Sequence, residues 1–367
     1  MDTDTLIPDD NFTQKKTTTM MNTSASGIAH VTNEVQHPTE AEEEITIYEQ
    51  LASVIRELVD DEFDNNLTFK SMTGGVTNTL FKCTYNNSHQ EKKNIIIRLY
   101  GKGTENFIDR KSESYIQYLL SGNGVGPKFY GTFKNGCIYG FVEGDQLELT
   151  DLANPHILNL IAQESRTWHS LTLDLKKQPS LTNYLNSWVS NVQTLLKTEK
   201  VNIDVDYYIK ETEAFKQFIK TKYSHPRHVV FCHNDLIPRN MIYNSGNDVV
   251  KYIDFEYSGY NYRGFDIGNF FCEFSGLDLD YTKYPSVQTQ KEFLRYYLAA
   301  NGDPVTEEEV HELYIEANHF TLGSHLMWGF WGIVQNFNST IDFDYIGYAL
   351  KRFQQYDLVK KKVYNLQ

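Results

Sequence analysis

Apolar periodicity changes character once along this chain, and that switch narrows the folds open to it more than any other feature. Between residues 67 and 142 the apolar side chains come in short, β-branched runs, 67–72, 76–85, 94–100, 128–133 and 137–142. Gly74-Gly75, Asn86-Asn87, Gly101 and Asn135-Gly136 punctuate them, and Asn-Gly is a strong hairpin signal. They read as antiparallel strands, with one helical pattern over 106–120 between the third and fourth. From residue 154 onward the spacing turns helical, over 157–171, 181–196, 207–222, 287–300, 306–334 and 345–355, broken by one strand-turn-strand at 240–253. The expected fold class is therefore α+β: a small antiparallel-sheet N-terminal lobe at 45–143, then a larger, mostly helical C-terminal lobe at 144–367.

Residues 1–44 stand apart. They are rich in Thr, Asn, Gln, Asp and Glu, with three consecutive threonines and three consecutive glutamates. Without sustained periodicity they bury too little apolar surface to offset the entropy of ordering, and a disordered polar leader is expected. Ile45, Ile47, Leu51, Val54, Ile55 and Leu58 then share one helical face, where the folded region is expected to begin.

With 367 residues, 40% hydrophobic and 22% charged, the chain has a soluble globular composition and room for a core that stands without disulfides or structural metal. Acidic residues outnumber basic ones 48 to 34, and the resulting charge of −14 opposes nucleic-acid binding while attracting a small cation. Cys83, Cys137, Cys232 and Cys272 lie far apart in apolar runs with no C-x-x-C pair, the pattern of reduced thiols in a cytoplasmic protein. The first ten residues are acidic and fail as a secretory signal. The most apolar stretch has nine residues, 326–334, about half of a bilayer span.

Chemistry concentrates where the apolar run Val229-Val230-Phe231-Cys232 opens into His233-Asn234-Asp235. Five residues after that acid comes an amide, Asn240, and Ile253-Asp254-Phe255 supplies a second acid after the hairpin. Phosphoryl transfer from ATP requires such a set. Asp235 would orient or deprotonate a hydroxyl, and the oxygens of Asn240 and Asp254 would hold Mg2+ on the phosphates. The spacing H-x-D-x-x-x-x-N with a later D-F is that of a kinase catalytic loop and metal-binding aspartate. A turn Asp beside an Asn cap accounts for any one of these residues, but not for all of them in this order.

Upstream, Gly74, Gly75, Thr77 and Asn78 lie between two expected strands, where glycines let backbone N–H groups approach phosphate oxygens; a glycine pair is also an ordinary turn. Arg98 is a charge inside the apolar strand Ile95-Ile96-Ile97-Arg98-Leu99 and needs a partner, for which Glu113 is the nearest downstream candidate. A strand cation paired with a helix glutamate grips α/β phosphates in kinases; a strand-edge arginine reaching solvent is the other reading. Gly122, Gly124 and Gly126 follow a helix rather than a strand and read as a helix stop before Pro127, not as a dinucleotide fingerprint.

Together, His233-Asn234-Asp235 with Asn240, Ile253-Asp254-Phe255-Glu256-Tyr257 and Asn261-Tyr262-Arg263-Gly264-Phe265-Asp266-Ile267-Gly268-Asn269 resemble the choline/ethanolamine kinase family, a branch of the protein-kinase-like two-lobe fold. The likeness runs from about Thr73 to the C-terminal helix. Aminoglycoside phosphotransferases share the fold but usually have glycine where Asn234 stands. Leu236-Ile237-Pro238-Arg239, Cys272-Glu273-Phe274-Ser275-Gly276 and residues 339–349 resemble the ethanolamine kinases more than the choline kinases. The departures are the long leader and Phe270, where the family usually has histidine, which puts one contact near the substrate in doubt. Phe255-Glu256 after Asp254 replaces the Phe-Gly hinge of protein kinases, and no activation segment is recognisable, which argues against protein substrates.

The resemblance implies an ATP- and magnesium-dependent kinase that converts ethanolamine to phosphoethanolamine for phosphatidylethanolamine synthesis, with choline the alternative amine and a homodimer left open. It places Glu273, Trp328, Trp331 and Tyr348 at the ammonium pocket, where a carboxylate and aromatic faces suit a cation. The tryptophans also suit a plain helix-packing stripe. A primary ammonium needs acceptors for its N–H groups, whereas a trimethylammonium prefers an aromatic cage. The place near Glu273 that is often aromatic in choline kinases falls among Gly276, Leu277 and Asp278, which favours ethanolamine. The rivals are a catalytically silent kinase-like binding protein, which normally lacks the base or a metal ligand, and an antibiotic- or sugar-modifying phosphotransferase.

Overall fold

The computed structural model describes residues 5–6, 22–23, 27–36, 44–59, 66–72, 78–101, 110–302, 304–339 and 341–366. The chain divides into two compact units, Met1–Glu143 and Gly144–Gln367.

Among the described residues the first unit holds β1 (Thr5–Leu6), β2 (Asn22–Thr23), β3 (Ala29–Val31), α1 (Glu44–Leu58), β4 (Thr68–Met72), β5 (Asn78–Asn86), β6 (Lys92–Tyr100), α2 (Arg110–Gly122), β7 (Phe129–Phe133) and β8 (Gly136–Gly140). Its strands form one eight-stranded sheet in the order β1-β4-β5-β6-β8-β7-β3-β2. Phe81, Cys83 and Tyr85 alternate inward along β5, the period-2 signature of a half-buried strand, whereas Ile95 to Leu99 of β6 are all buried, as in a strand covered on both faces. On α1, Ile47, Leu51, Val54, Ile55 and Leu58 pack on the sheet with Phe69, Ile97 and Phe133, as their shared face requires; the Ile45 side chain lies outside the described residues. The Lys134-Asn135 turn closes β7 on β8 where the Asn-Gly pair predicts a hairpin. After α2, Gly124 at φ +71° and the Gly126 N–H to Leu120 O bond (3.1 Å) end the helix, so this glycine run is a stop signal.

Part of the expected disordered leader is ordered. Ile28, Val31 and Val35 are buried, and β3 pairs with β7 in parallel, so the sheet is not purely antiparallel. Asn135 stitches the segment down, its Nδ2 donating to Val35 O (2.7 Å) and its Oδ1 accepting from Val35 N–H (3.0 Å). His30 Nδ1 meets Thr132 Oγ1 at 2.8 Å. Three apolar residues are too few to sustain a period; their stabilisation comes from partners about a hundred positions away, which local pattern does not register.

The second unit holds β9 (Asp145–Gln146), α3 (Pro155–His169), α4 (Leu181–Leu195), α5 (Val205–Lys222), β10 (Val229–Cys232), β11 (Met241–Asn244), β12 (Val249–Tyr252), β13 (Gly259–Tyr262), α6 (Arg263–Glu273), α7 (Val287–Ala299), α8 (Glu307–Asn338) and α9 (Tyr345–Tyr364). The strands make two small antiparallel sheets, β10-β13 and β12-β11-β9. Thr306 starts α8 with a capping box, its Oγ1 accepting from Glu309 N–H (3.2 Å) while Glu309 Oε2 accepts from Thr306 N–H (2.9 Å). This helix is buried along most of its length against α4, α6 and α9, which explains the apolar run at 326–334. No described helix is long and apolar enough to cross a membrane. Helix α6 has no expected counterpart: every residue from Gly264 to Glu273 is buried, so no amphipathic stripe marks it in the sequence.

All four cysteines are free and buried, and burial pushes the Cys137 thiol up to about 11 and those of Cys83 and Cys272 to about 12. They are inert, reduced packing residues.

Candidate active site

Strand β10 delivers His233, Asn234 and Asp235 to the end of a two-stranded sheet, and Asp266, on the first turn of α6, holds them there. Its Oδ2 accepts from His233 N–H (2.9 Å) and its Oδ1 from Asn234 N–H (2.7 Å). His169 Nε2 lies 3.0 Å from Oδ2; a carboxylate only accepts, so that ring nitrogen carries hydrogen, while Nδ1 lies 2.9 Å from Tyr297 OH. Burial alone would raise the Asp266 carboxyl, but the hydrogen bond from His169 and that from the backbone N–H of His233 outweigh it and hold the group below the usual aspartate range.

Asn234 sits at φ +69°, a region open to glycine and tolerated by asparagine, which is why these two residue types suit this position. Its side chain fixes the turn, Nδ2 donating to Tyr257 O (2.8 Å) and Oδ1 accepting from Asn261 Nδ2 (2.7 Å). His233 is fully buried, and burial, only partly offset by Asp266, lowers its pKa. The neutral ring donates from Nε2 to Ile253 O (2.9 Å) and accepts at Nδ1 from Asp235 N–H (3.3 Å). Trp168 packs against Phe231, His233, Tyr252 and Phe255, with centroids 5.4–5.7 Å away, and so braces both the strand and the loop that carries Asp254.

These supports bring the expected chemistry together. Asn240 Nδ2 donates to both Oδ2 and the carbonyl of Asp235, each at 3.0 Å. Its backbone O accepts from Ile253 N–H at 2.9 Å, tying the loop to the strand before Asp254. Asp254 is exposed and held at φ +64°, a costly conformation for aspartate of the kind that collects at working sites. Burial, then the charges of Asp254, Glu273 and Glu256, push the Asp235 carboxyl well above its ordinary range. A crowd of acids around a half-buried carboxylate fits a bound divalent cation. An amide that donates to Asp235 presents its oxygen on its other arm, and that oxygen with the Asp254 carboxylate is a hard-oxygen donor set suited to Mg2+.

Downstream, Glu273 ends α6. Its Oε1 accepts from Arg352 Nη2 at 2.6 Å, and Arg352 Nε donates to Tyr348 OH at 3.0 Å. Trp328 Nε1 donates to Asn269 Oδ1 (2.8 Å) and its ring lies edge-on to Tyr257 (5.5 Å). Trp331 meets Trp328, Tyr345 and Tyr348 at 5.6–5.9 Å, and Phe343 meets Tyr348 at 5.9 Å. The two tryptophans are thus packed in an aromatic cluster with Tyr257, Tyr345 and Tyr348. Phe270 is fully buried among Phe271, Phe274 and Phe293, so its place is in the core.

In the first unit Arg98 occupies β6, an interior strand, and is 5% exposed, which removes the strand-edge reading. Its Nη1 donates to Glu113 Oε1 at 2.7 Å, and Arg110 Nη1 to Glu113 Oε2 at 2.8 Å, so two guanidiniums bracket one buried carboxylate. Arg110 Nη2 also reaches Asn78 Oδ1 at 3.1 Å. Gly74, Gly75 and Thr77 lie outside the described residues.

Asp266, Asn269, Arg110 and Arg352 have no role in the sequence reading. Asp266 and Asn269 lie inside the quoted motif, and Arg110 stands three residues before Glu113, the spacing of neighbours on one helix face. The pairing of Arg352 with Glu273 gives no local signal, since that carboxylate is 79 positions away.

Known proteins resemble this chain in sequence and in fold. The family model described as choline/ethanolamine kinase matches residues 69–357. A probable ethanolamine kinase B from Dictyostelium discoideum is 46% identical over 93% of this chain and 98% of its own length. Among solved structures, an ethanolamine kinase from Plasmodium vivax superposes with a TM-score of 0.75 at 28% identity, covering 88% of this chain and 90% of that one. A choline kinase from Cryptosporidium parvum gives a TM-score of 0.74 at 25% identity, over 87% and 96%. The α+β, protein-kinase-like architecture expected from the sequence is the one these structures share, and the chain belongs to the choline/ethanolamine kinase family.

Proposed function

We propose that this protein is an ethanolamine kinase that transfers the γ-phosphate of ATP to the hydroxyl of ethanolamine, giving phosphoethanolamine and ADP for phosphatidylethanolamine synthesis. The observation that carries the reading is the Asp235–Asn240 contact at 3.0 Å, set in an acidic group formed with Asp254, Glu256 and Glu273. Asp235 orients the substrate hydroxyl and takes its proton, and its raised affinity for a proton suits a general base. Asn240 and Asp254 are the residues that would hold Mg2+, which supplies charge neutralisation on the phosphates when bound. Arg98, fixed by Glu113, and the loop around Gly74, Gly75, Thr77 and Asn78 position the nucleotide phosphates. We assign nucleotide binding to the first unit and catalysis with amine binding to the second. Glu273 would accept from the ammonium with Trp328, Trp331 and Tyr348 facing it; a carboxylate beside this aromatic cluster supports a small cationic alcohol over an antibiotic or sugar.

An ADP-release assay across ethanolamine, choline and an aminoglycoside, with wild type and Asp235→Ala, tests the reading. Turnover is expected with ethanolamine above choline and none with the aminoglycoside, and the variant should lose at least about 100-fold in kcat. Equal or better use of choline overturns the amine assignment; undiminished turnover by the variant overturns the role of Asp235.

A further inference from the structure

Arg352 is a cation buried against the carboxylate that the proposed function gives to another cation. It is 1% exposed, on the second turn of α9, and its guanidinium spans two groups of different kind. Nη2 donates to Glu273 Oε1 at 2.6 Å, Nε donates to Tyr348 OH at 3.0 Å, and the guanidinium carbon lies 5.2 Å from the centroid of the Tyr348 ring. Its charge offsets that of Glu273, so the carboxylate contributes little as a bare counter-ion to an incoming ammonium. What remains is geometry. Oε1 is committed to Arg352, which leaves Oε2 and the second lone pair of the Tyr348 hydroxyl as acceptors at fixed positions.

The surroundings argue that this arginine is not there for stability. Its Nη1 is buried with no hydrogen-bond partner among the described residues, as are the Tyr281 hydroxyl, Ser275 Oγ and His325 Nδ1. Leaving such atoms unsatisfied is costly, and a well-packed apolar side chain in the same volume would ordinarily be as stable or more so. A buried ion pair retained at that cost, joining an acidic group to an aromatic cluster, is better explained by what it orients.

We propose that Arg352 is a positioning residue that sets amine specificity: it holds the Glu273 carboxylate and the Tyr348 hydroxyl as a preset pair of acceptors for the N–H groups of a primary ammonium. A quaternary ammonium has no N–H to donate and is held by charge and ring faces, so it depends less on this pair. The inference rests on the reading that Glu273 receives the ammonium.

Steady-state kinetics with ethanolamine and choline at saturating ATP and Mg2+ test it, on wild type, Arg352→Met, Arg352→Lys, Tyr348→Phe and Glu273→Gln. In Arg352→Met, KM for ethanolamine should rise at least 10-fold with kcat within 3-fold, and the ethanolamine-to-choline ratio of kcat/KM should fall at least 5-fold. Lysine keeps the charge but not the planar fork, so Arg352→Lys should recover only part of the loss. Tyr348→Phe removes one tether and should move the ratio the same way by a smaller factor. It decides the matter if Arg352→Met does not fold. Equal losses on both amines, or a fall in kcat with KM unchanged, would overturn the inference. An unchanged ethanolamine KM in Glu273→Gln would instead remove the ammonium assignment on which it stands, and the inference with it.

Discussion

Asp266→Asn is the sharpest probe of how the loop from His233 to Asp235 is held. The carboxylate accepts from two backbone N–H groups, at 2.9 and 2.7 Å, and from His169 at 3.0 Å, all in the buried interior. Hydrogen bonds to a charged group contribute about 1.5–3 kcal/mol each. The asparagine keeps one acceptor oxygen and turns an NH2 toward a donor, so it loses at least one such bond and leaves a buried N–H facing another. A destabilisation of about 3–5 kcal/mol follows, against a whole-domain stability of about 5–15 kcal/mol. Because the affected N–H groups belong to His233 and Asn234, Asp235 shifts as well, and a displacement on the order of 1 Å costs roughly 100-fold in rate. Urea unfolding and kcat at saturating ethanolamine measure the two effects. The pH dependence adds a signature. A depressed folded pKa means the stabilisation is fully present above the ordinary aspartate value of 3.8 and is lost as pH falls through the lower folded value. The stability gap between wild type and variant should therefore be constant near neutrality and close in strong acid. A variant within about 1 kcal/mol of wild type at pH 7 with kcat within 3-fold would refute the argument, since Asp266 would then carry neither charge-assisted bonds nor the loop.

Glu113→Gln removes the charge that two guanidiniums share, so about 3–5 kcal/mol of stability should go and KM for ATP should rise about 10-fold; unchanged nucleotide affinity would count against a phosphate role for Arg98. Asp254→Asn should raise the half-saturating Mg2+ concentration at least about 10-fold, and excess EDTA should abolish turnover by the wild type, with restoration on adding Mg2+. Gly268→Ala places a Cβ 2.4 Å from Ala317 O and 3.1 Å from Thr321 N, so α6 must part from α8. A loss of about 1–3 kcal/mol is expected, whereas Gly259→Ala, with nothing within 4 Å of its Cβ, should stay within about 0.5 kcal/mol; similar melting curves for the two would contradict the packing argument.

How much was legible in advance divides by the range of the interaction. The strands β4 to β8, most of the helices, the Asp235–Asn240–Asp254 set and the Arg98–Glu113 pair all follow from spacing along the chain, because pleat, helix period and loop length fix which residues are neighbours. Elements without a local period were not legible: α6 is buried on every side, and residues 27–36 are held by a strand and an asparagine far along the chain.

The sequence by itself marked strands β4 to β8 and most of the helices and singled out the side chains proposed to carry the chemistry, since those depend on period, turn residues and the intrinsic reactivity of acids and amides. Tertiary structure alone decided that Asp266 clamps the loop, that Phe270 belongs to the core, and that a distant Arg352 sits on the carboxylate of Glu273. Burial, proton affinity and the pairing of charges depend on what surrounds a group in space, and no local stretch of residues encodes those surroundings.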